Sequence, residues 1–206
     1  MADSPWPLIH AERAALADDL SGLDSAAWQT PSLCARWTVQ DVLAHQVSTA
    51  TLTPLTFLSS LASSGFRFQA FAAKGIDRYG AGSPEATLSA FRAVQTSTSA
   101  PPGPKTSWLG EALVHSEDIR RPLGITRDYP LEAVTRTLDF YAGSNALIGT
   151  KKRIAGVSLR ATDTTWSHGD GPLVEGPAMA LLMAATGRTA FLDDLTGPGV
   201  EVLRGR

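Results

Sequence analysis

A helix that is apolar on most sides but carries a stripe of ionisable residues sets the terms for this chain. The stretch from about Trp108 to Arg121 reads as a helix, with Leu109, Ala112, Leu113, Val114 and Ile119 supplying its apolar faces. Glu111, His115 and Asp118 stand at i, i+4 and i+7 and therefore share one face. With so much apolar surface around it, that stripe is set to face inward, where a carboxylate and an imidazole need a partner or a metal. A second histidine, His45, lies in another apolar helical stretch, Val39 to Val47. Two helices that together offer His, Glu and His can build a three-ligand metal site with open positions, the kind associated with catalysis.

The first two-thirds of the chain reads as helices. Ser4-Pro5 is an N-cap followed by Pro at the first helical position, and that helix stops near Gly22. Thr38-Val-Gln-Asp41 has the form of a capping box ahead of the His45 helix. A third helix covers much of Thr53 to Lys74, and Ser83-Pro84-Glu85 starts a fourth that ends near Thr98. The breaker run at 100–105 is a loop, Arg121-Pro122 ends the Glu111 helix, and Tyr129-Pro130 opens a last long helix to about Ile148. The pattern then changes. Ile154 to Thr162 alternates as a strand, and Gly169-Asp-Gly171 between extended pieces signals a hairpin. Pro177 to Thr186 is a helix with Gly187 at its C-cap, and Gly199 to Leu203 reads as a final strand. The expected organisation is a helical domain over 1–150 and a small α+β domain over 151–206.

Charge and composition narrow the function. Of 206 residues, 43% are hydrophobic and 18% charged, which argues against disorder. A net charge of −2 leaves no electrostatic footprint for nucleic acid or an anionic membrane. The semi-apolar stretch from Thr51 to Ala73 is interrupted by Pro54, Gly65, Arg67 and many hydroxyls, and fails as a membrane span. The N-terminus lacks the features of a signal peptide, and with one cysteine no internal disulfide can form. A soluble, cytoplasmic protein is expected, monomeric or homodimeric.

Each candidate residue has a plainer reading beside the functional one. His45 among Val42, Leu43 and Val47 is either a ligand or a hydrogen-bonded core histidine. Asp118 either accepts from the free ring nitrogen of His115 or forms an ion pair with Arg120, Arg121 or another bundle helix. Asp41 is a helix cap or a partner for His45, the cap being the better fit. Cys34 would make a good zinc ligand or nucleophile, but no Cys-x2-Cys accompanies it, and a small packing residue is the expectation. His168 falls in a turn that cannot form a Ser/His/Asp triad, and His10 reads as a surface or interhelical residue. Arg188 follows Gly187, where it can satisfy the helix's last carbonyls or reach toward a substrate carboxylate.

Taken together, the segments Trp28 to His45 and Gly110 to Gly124, and a tail with Ala161 to Pro172, Gly187-Arg188 and Asp193 to Gly199, resemble the mycothiol-dependent maleylpyruvate isomerase family over nearly the whole chain. The resemblance implies a mainly α protein: a DinB-like up-down four-helix bundle followed by a small α+β domain like sterol-carrier folds. It implies a divalent metal, usually zinc, on His45, Glu111 and His115, and an arginine of the C-terminal domain near the active cavity, carried over to Arg188. It also implies mycothiol, a low-molecular-weight thiol of actinobacteria, as the cofactor that brings the sulfur to a small electrophile, in isomerisation or thiol transfer. The other reading is a DinB-like protein that binds metal or ligand without turnover.

Overall fold

The computed structural model describes residues 4–145 and 148–206. They form two compact units, which divide between Thr126 and Arg127. The first is helical: α1 (Trp6–Asp19), α2 (Ser25–Trp28), α3 (Val39–Thr51), α4 (Pro54–Ser63), α5 (Phe68–Gly80), α6 (Pro84–Ala93) and α7 (Lys105–Leu123). Within it α1 packs on α7, α7 on α3, α3 on α6 and α6 on α1, while α5 lies along α3. The shared core holds Leu16, Leu20, Trp28, Val42, Leu43, Phe91 and Ile119, all essentially dry.

Local chemistry sets the helix ends that matter. The capping box is present as expected: the Thr38 side chain accepts from Asp41 N, and Asp41 Oδ2 accepts from Thr38 N at 2.9 Å. The single helix expected over Thr53–Lys74 is two, because Gly65 and Phe66 both take left-handed backbone (φ 63° and 58°) and turn the chain between α4 and α5. The helix beginning at Pro84 also ends sooner, at Ala93.

Helix α7 runs past the expected stop. Pro122 sits inside its last turn, and Gly124 closes it in the left-handed conformation. Proline has no N–H, so the carbonyl of Asp118 loses its helical donor. That carbonyl accepts instead from Leu33 N at 3.1 Å, which ties the loop before α3 to α7. Arg120, two residues on from Asp118 and so on the opposite side of the helix, is fully buried. It bonds Glu12 and Asp19 of α1, the latter through Nε at 2.8 Å.

The second unit contains α8 (Leu131–Ala142), α9 (Thr150–Arg153), β1 (Ser158–Ala161), β2 (Ser167–His168), β3 (Leu173–Gly176), α10 (Ala178–Ala185), a 3-10 turn (Thr189–Asp194) and α11 (Gly199–Arg204). The division thus falls ahead of the expected one. Helix α8 buries Ala133, Val134, Leu138 and Tyr141 and packs on α10, and its Asp139 accepts from Trp166 Nε1 at 2.7 Å. It ends at Ala142; part of the longer helix expected there, 146–147, lies outside the described residues.

Two further expectations are corrected. The Gly169-Asp-Gly171 turn joins no hairpin: the strand order is β2-β1-β3, with β2 antiparallel and β3 parallel to β1. The turn crosses the start of β1 so closely that a Cβ at Gly169 would meet Val157 O at 2.4 Å. The segment from Gly199 is the helix α11 rather than a strand, burying Val200 and Leu203 at helical spacing.

Candidate metal centre

Helices α3 and α7 pack together and bring His45, Glu111 and His115 to one place. Glu111 Oε1 lies 3.0 Å from His45 Nε2, and Oε2 lies 3.6 Å from His115 Nε2. One ligand atom from each of the three lies within 4.8 Å of the others. The imidazoles stand edge to face, 5.1 Å between centroids, and the Trp37 indole lies against both, 5.0 Å from His45 and 6.5 Å from His115.

The fit to a cation shows in what these atoms lack. Glu111 Oε1 is buried and, although His45 Nε2 lies 3.0 Å away, it is not satisfied by a well-formed hydrogen bond among the described residues. Ligand atoms that converge in this way suit a shared positive ion. The other nitrogen of His115 is held as a metal-ligating histidine usually is, Nδ1 lying 2.9 Å from Oδ2 of the fully buried Asp118. The first reading of Asp118, an acceptor for the ring nitrogen of His115, is thus present in the structure, while Arg120 bonds Glu12 and Asp19 of α1.

The electrostatics are strongly coupled. Burial alone would raise the Glu111 carboxyl, but the neighbouring His115 and His45, with the Thr49 side chain, hold it at about 2. Burial would lower His115, yet Glu111, Asp118 and Cys34 together push it up to about 10. In the absence of a metal, His115 therefore keeps a proton that an incoming cation must displace.

With this geometry in place, the comparison with known proteins has a focus. The sequence profile of the mycothiol maleylpyruvate isomerase N-terminal domain matches residues 9–123, more than half of the chain and all three converging side chains. The chain belongs to this family. Solved structures of a mycothiol-dependent maleylpyruvate isomerase and of its histidine-to-alanine mutant share the fold, with TM-scores of 0.64 and 0.63. Both are 20% identical to this chain, and each match covers 94% of it and 91% of the other. No curated protein sequence matches it. As a member of the maleylpyruvate isomerase family the chain is read as an enzyme, mainly α with a small α+β part, and no described helix is long and apolar enough to cross a membrane.

In this family member the loop from Pro31 to Thr38 contributes more than the sequence suggested. Cys34, expected as a packing residue, does pack at the edge of the core, but its Sγ also donates to Asp118 Oδ2 at 3.0 Å and lies 3.6 Å from His115 Nδ1. Cys34, His115 and Asp118 form a second group with metal-ligand spacing. Its signal was the Leu33 amide that the Pro122-freed carbonyl captures, which no helical periodicity reveals. Arg36 in the same loop holds a left-handed φ of 73°. Asp41 is the cap and not a partner of His45, whose Nδ1 has no hydrogen bond among the described residues. His10 ties α1 to the segment after α6 through Ser97 O at 3.3 Å, and His168 is exposed in β2, stacked on Trp166. Arg188 belongs to the second unit, where its Nη1 donates to Thr186 O at 3.1 Å as expected of a residue after a helix end.

Proposed function

We propose that the chain is a zinc-dependent enzyme that activates a low-molecular-weight thiol, mycothiol, for attack on a small electrophile. The observation that carries this reading is the convergence of His45, Glu111 and His115 on one point, with Glu111 Oε1 buried and without a well-formed hydrogen bond among the described residues. Family membership supports the thiol dependence, and the donor set suits zinc, though nickel, cobalt, iron or manganese also accept such ligands. When bound, the metal lowers the pKa of a thiol so that it meets an electrophilic double bond as thiolate, the nucleophile that cis–trans isomerisation or thiol transfer requires.

In this reading the chain's own residues have distinct tasks. His45, Glu111 and His115 hold the ion and leave a position open. Asp118 keeps the proton of His115 on Nδ1, so that Nε2 presents a lone pair. Trp37 covers the two imidazoles and limits water. Arg188 is proposed to meet a carboxylate of the substrate, by the family resemblance. The reading extends to a cytoplasmic setting, and to a metal-binding bundle over 1–150 with a sterol-carrier-like domain over 151–206.

Metal content by elemental mass spectrometry tests the assignment. The wild type should carry about one zinc per chain, and His45→Ala, Glu111→Ala and His115→Ala should each lose it while keeping helical circular dichroism. In the cobalt-substituted protein, mycothiol should produce a sulfur-to-metal charge-transfer band. Full zinc in the His115 variant would sink the ligand set, and no band on thiol addition would sink the thiol.

A further inference from the structure

Between α3, α4 and α5 the first unit has a cavity of about 480 Å³, lined by none of the metal-centre residues. That volume is in the range of small-molecule sites. Its wall on α4 is unusual. Thr56, Ser59, Ser60 and Ser63 stand at i, i+3, i+4 and i+7 and turn one hydroxyl stripe to the cavity. Leu55 and Leu58, on the same short helix, are 81% and 55% exposed. Burial of apolar surface would favour the reverse orientation. What anchors α4 is Phe57, packed edge to face on Phe71 of α5, and the buried Leu61.

Most of the hydroxyl hydrogens on this side are spent on backbone carbonyls of the helices' own turns. Thr56 donates to Thr53 O and Ser59 to Thr56 O, each at 3.1 Å, and Ser63 donates to Ser60 O at 2.8 Å. Thr51 of α3 does the same to Ser48 O at 2.8 Å. Lone pairs are most of what Thr51, Thr56, Ser59 and Ser63 offer, so this side favours a ligand that brings donors. The α5 side is opposite in character. Lys74 and Arg78, one turn apart, both line the cavity, and no carboxylate lines it. Neither cation forms an ion pair among the described residues: Lys74 donates to Ser63 O at 2.9 Å, and Arg78 lies over the Tyr79 ring. Gly75 sits between them because a Cβ there would come 2.2 Å from Ser48 Oγ, so α5 closes against α3 only without a side chain.

We propose that this cavity binds a polyhydroxylated small molecule bearing a carboxylate or a phosphate, its hydroxyls donating to α3 and α4 and its anion meeting Lys74 and Arg78. The proposal does not depend on the metal centre.

Isothermal titration of the full-length, zinc-loaded protein with glucuronate, glucose 6-phosphate and glucose tests it. Saturable binding of either acid, about tenfold or more tighter than glucose, is expected, and the tighter acid identifies the anion. Arg78→Gln and Lys74→Gln, both at exposed positions, should each weaken it by about tenfold with zinc content unchanged. No saturable heat with either acid, equal affinity for glucose, or unchanged affinity in both variants would overturn the proposal. Zinc measured in the same samples reports separately on the metal centre.

Discussion

At the scale of residues, the centre is a competition between one proton and one cation. His115 is raised to about 10 from its ordinary 6.5, so across neutral pH metal uptake by the metal-free protein releases the imidazolium proton. The apparent zinc affinity should tighten about tenfold per pH unit between roughly pH 6 and 8, measured by competition with a chelator. The sign for stability is opposite. The His115 ion pairing stabilises the metal-free protein fully below about 6.5, and that contribution is lost as pH rises toward about 10. Denaturant midpoints of the chelated protein should fall over that window, and those of the zinc-loaded protein should not follow. Asp118→Asn removes the acceptor charge behind His115 and should weaken zinc binding about 10- to 100-fold. The stripe of Glu111, His115 and Asp118 was legible because helical spacing puts such residues on one face. Cys34 was not, because its place depends on a loop contact across 84 positions of sequence.

At the scale of elements, capping chemistry was the most readable part. Thr38 and Asp41 form the box their spacing announced. The errors came where tertiary packing outweighs local preference. Phe66 adopts a left-handed turn that a bulky residue rarely takes, and it splits one expected helix in two. Pro122 is tolerated inside α7 because a neighbouring loop uses the carbonyl it orphans. Two element-level outcomes follow from this packing. Arg120→Met leaves Glu12 buried without its guanidinium partner and should cost about 3–5 kcal/mol in chemical denaturation. Gly124→Ala, at a φ of 68°, should cost about 1 kcal/mol through the left-handed backbone alone, leaving zinc affinity unchanged.

At the scale of the whole molecule, the change from helical to strand-like patterning was plain in the sequence, but the break between compact units was not. Helix α8 resembles its predecessors in composition, and only its packing on α10 assigns it to the second unit. A fragment spanning 1–126 should therefore fold and bind about one zinc, as judged by circular dichroism and elemental analysis; failure to bind would place a required group beyond Thr126. His45, Glu111, His115, Asp118, Cys34 and Trp37 all precede that division. During synthesis the ribosome delivers this entire set before it has made any of the second unit. A nascent chain can thus acquire its ion early, and the second unit would fold after the first is already loaded.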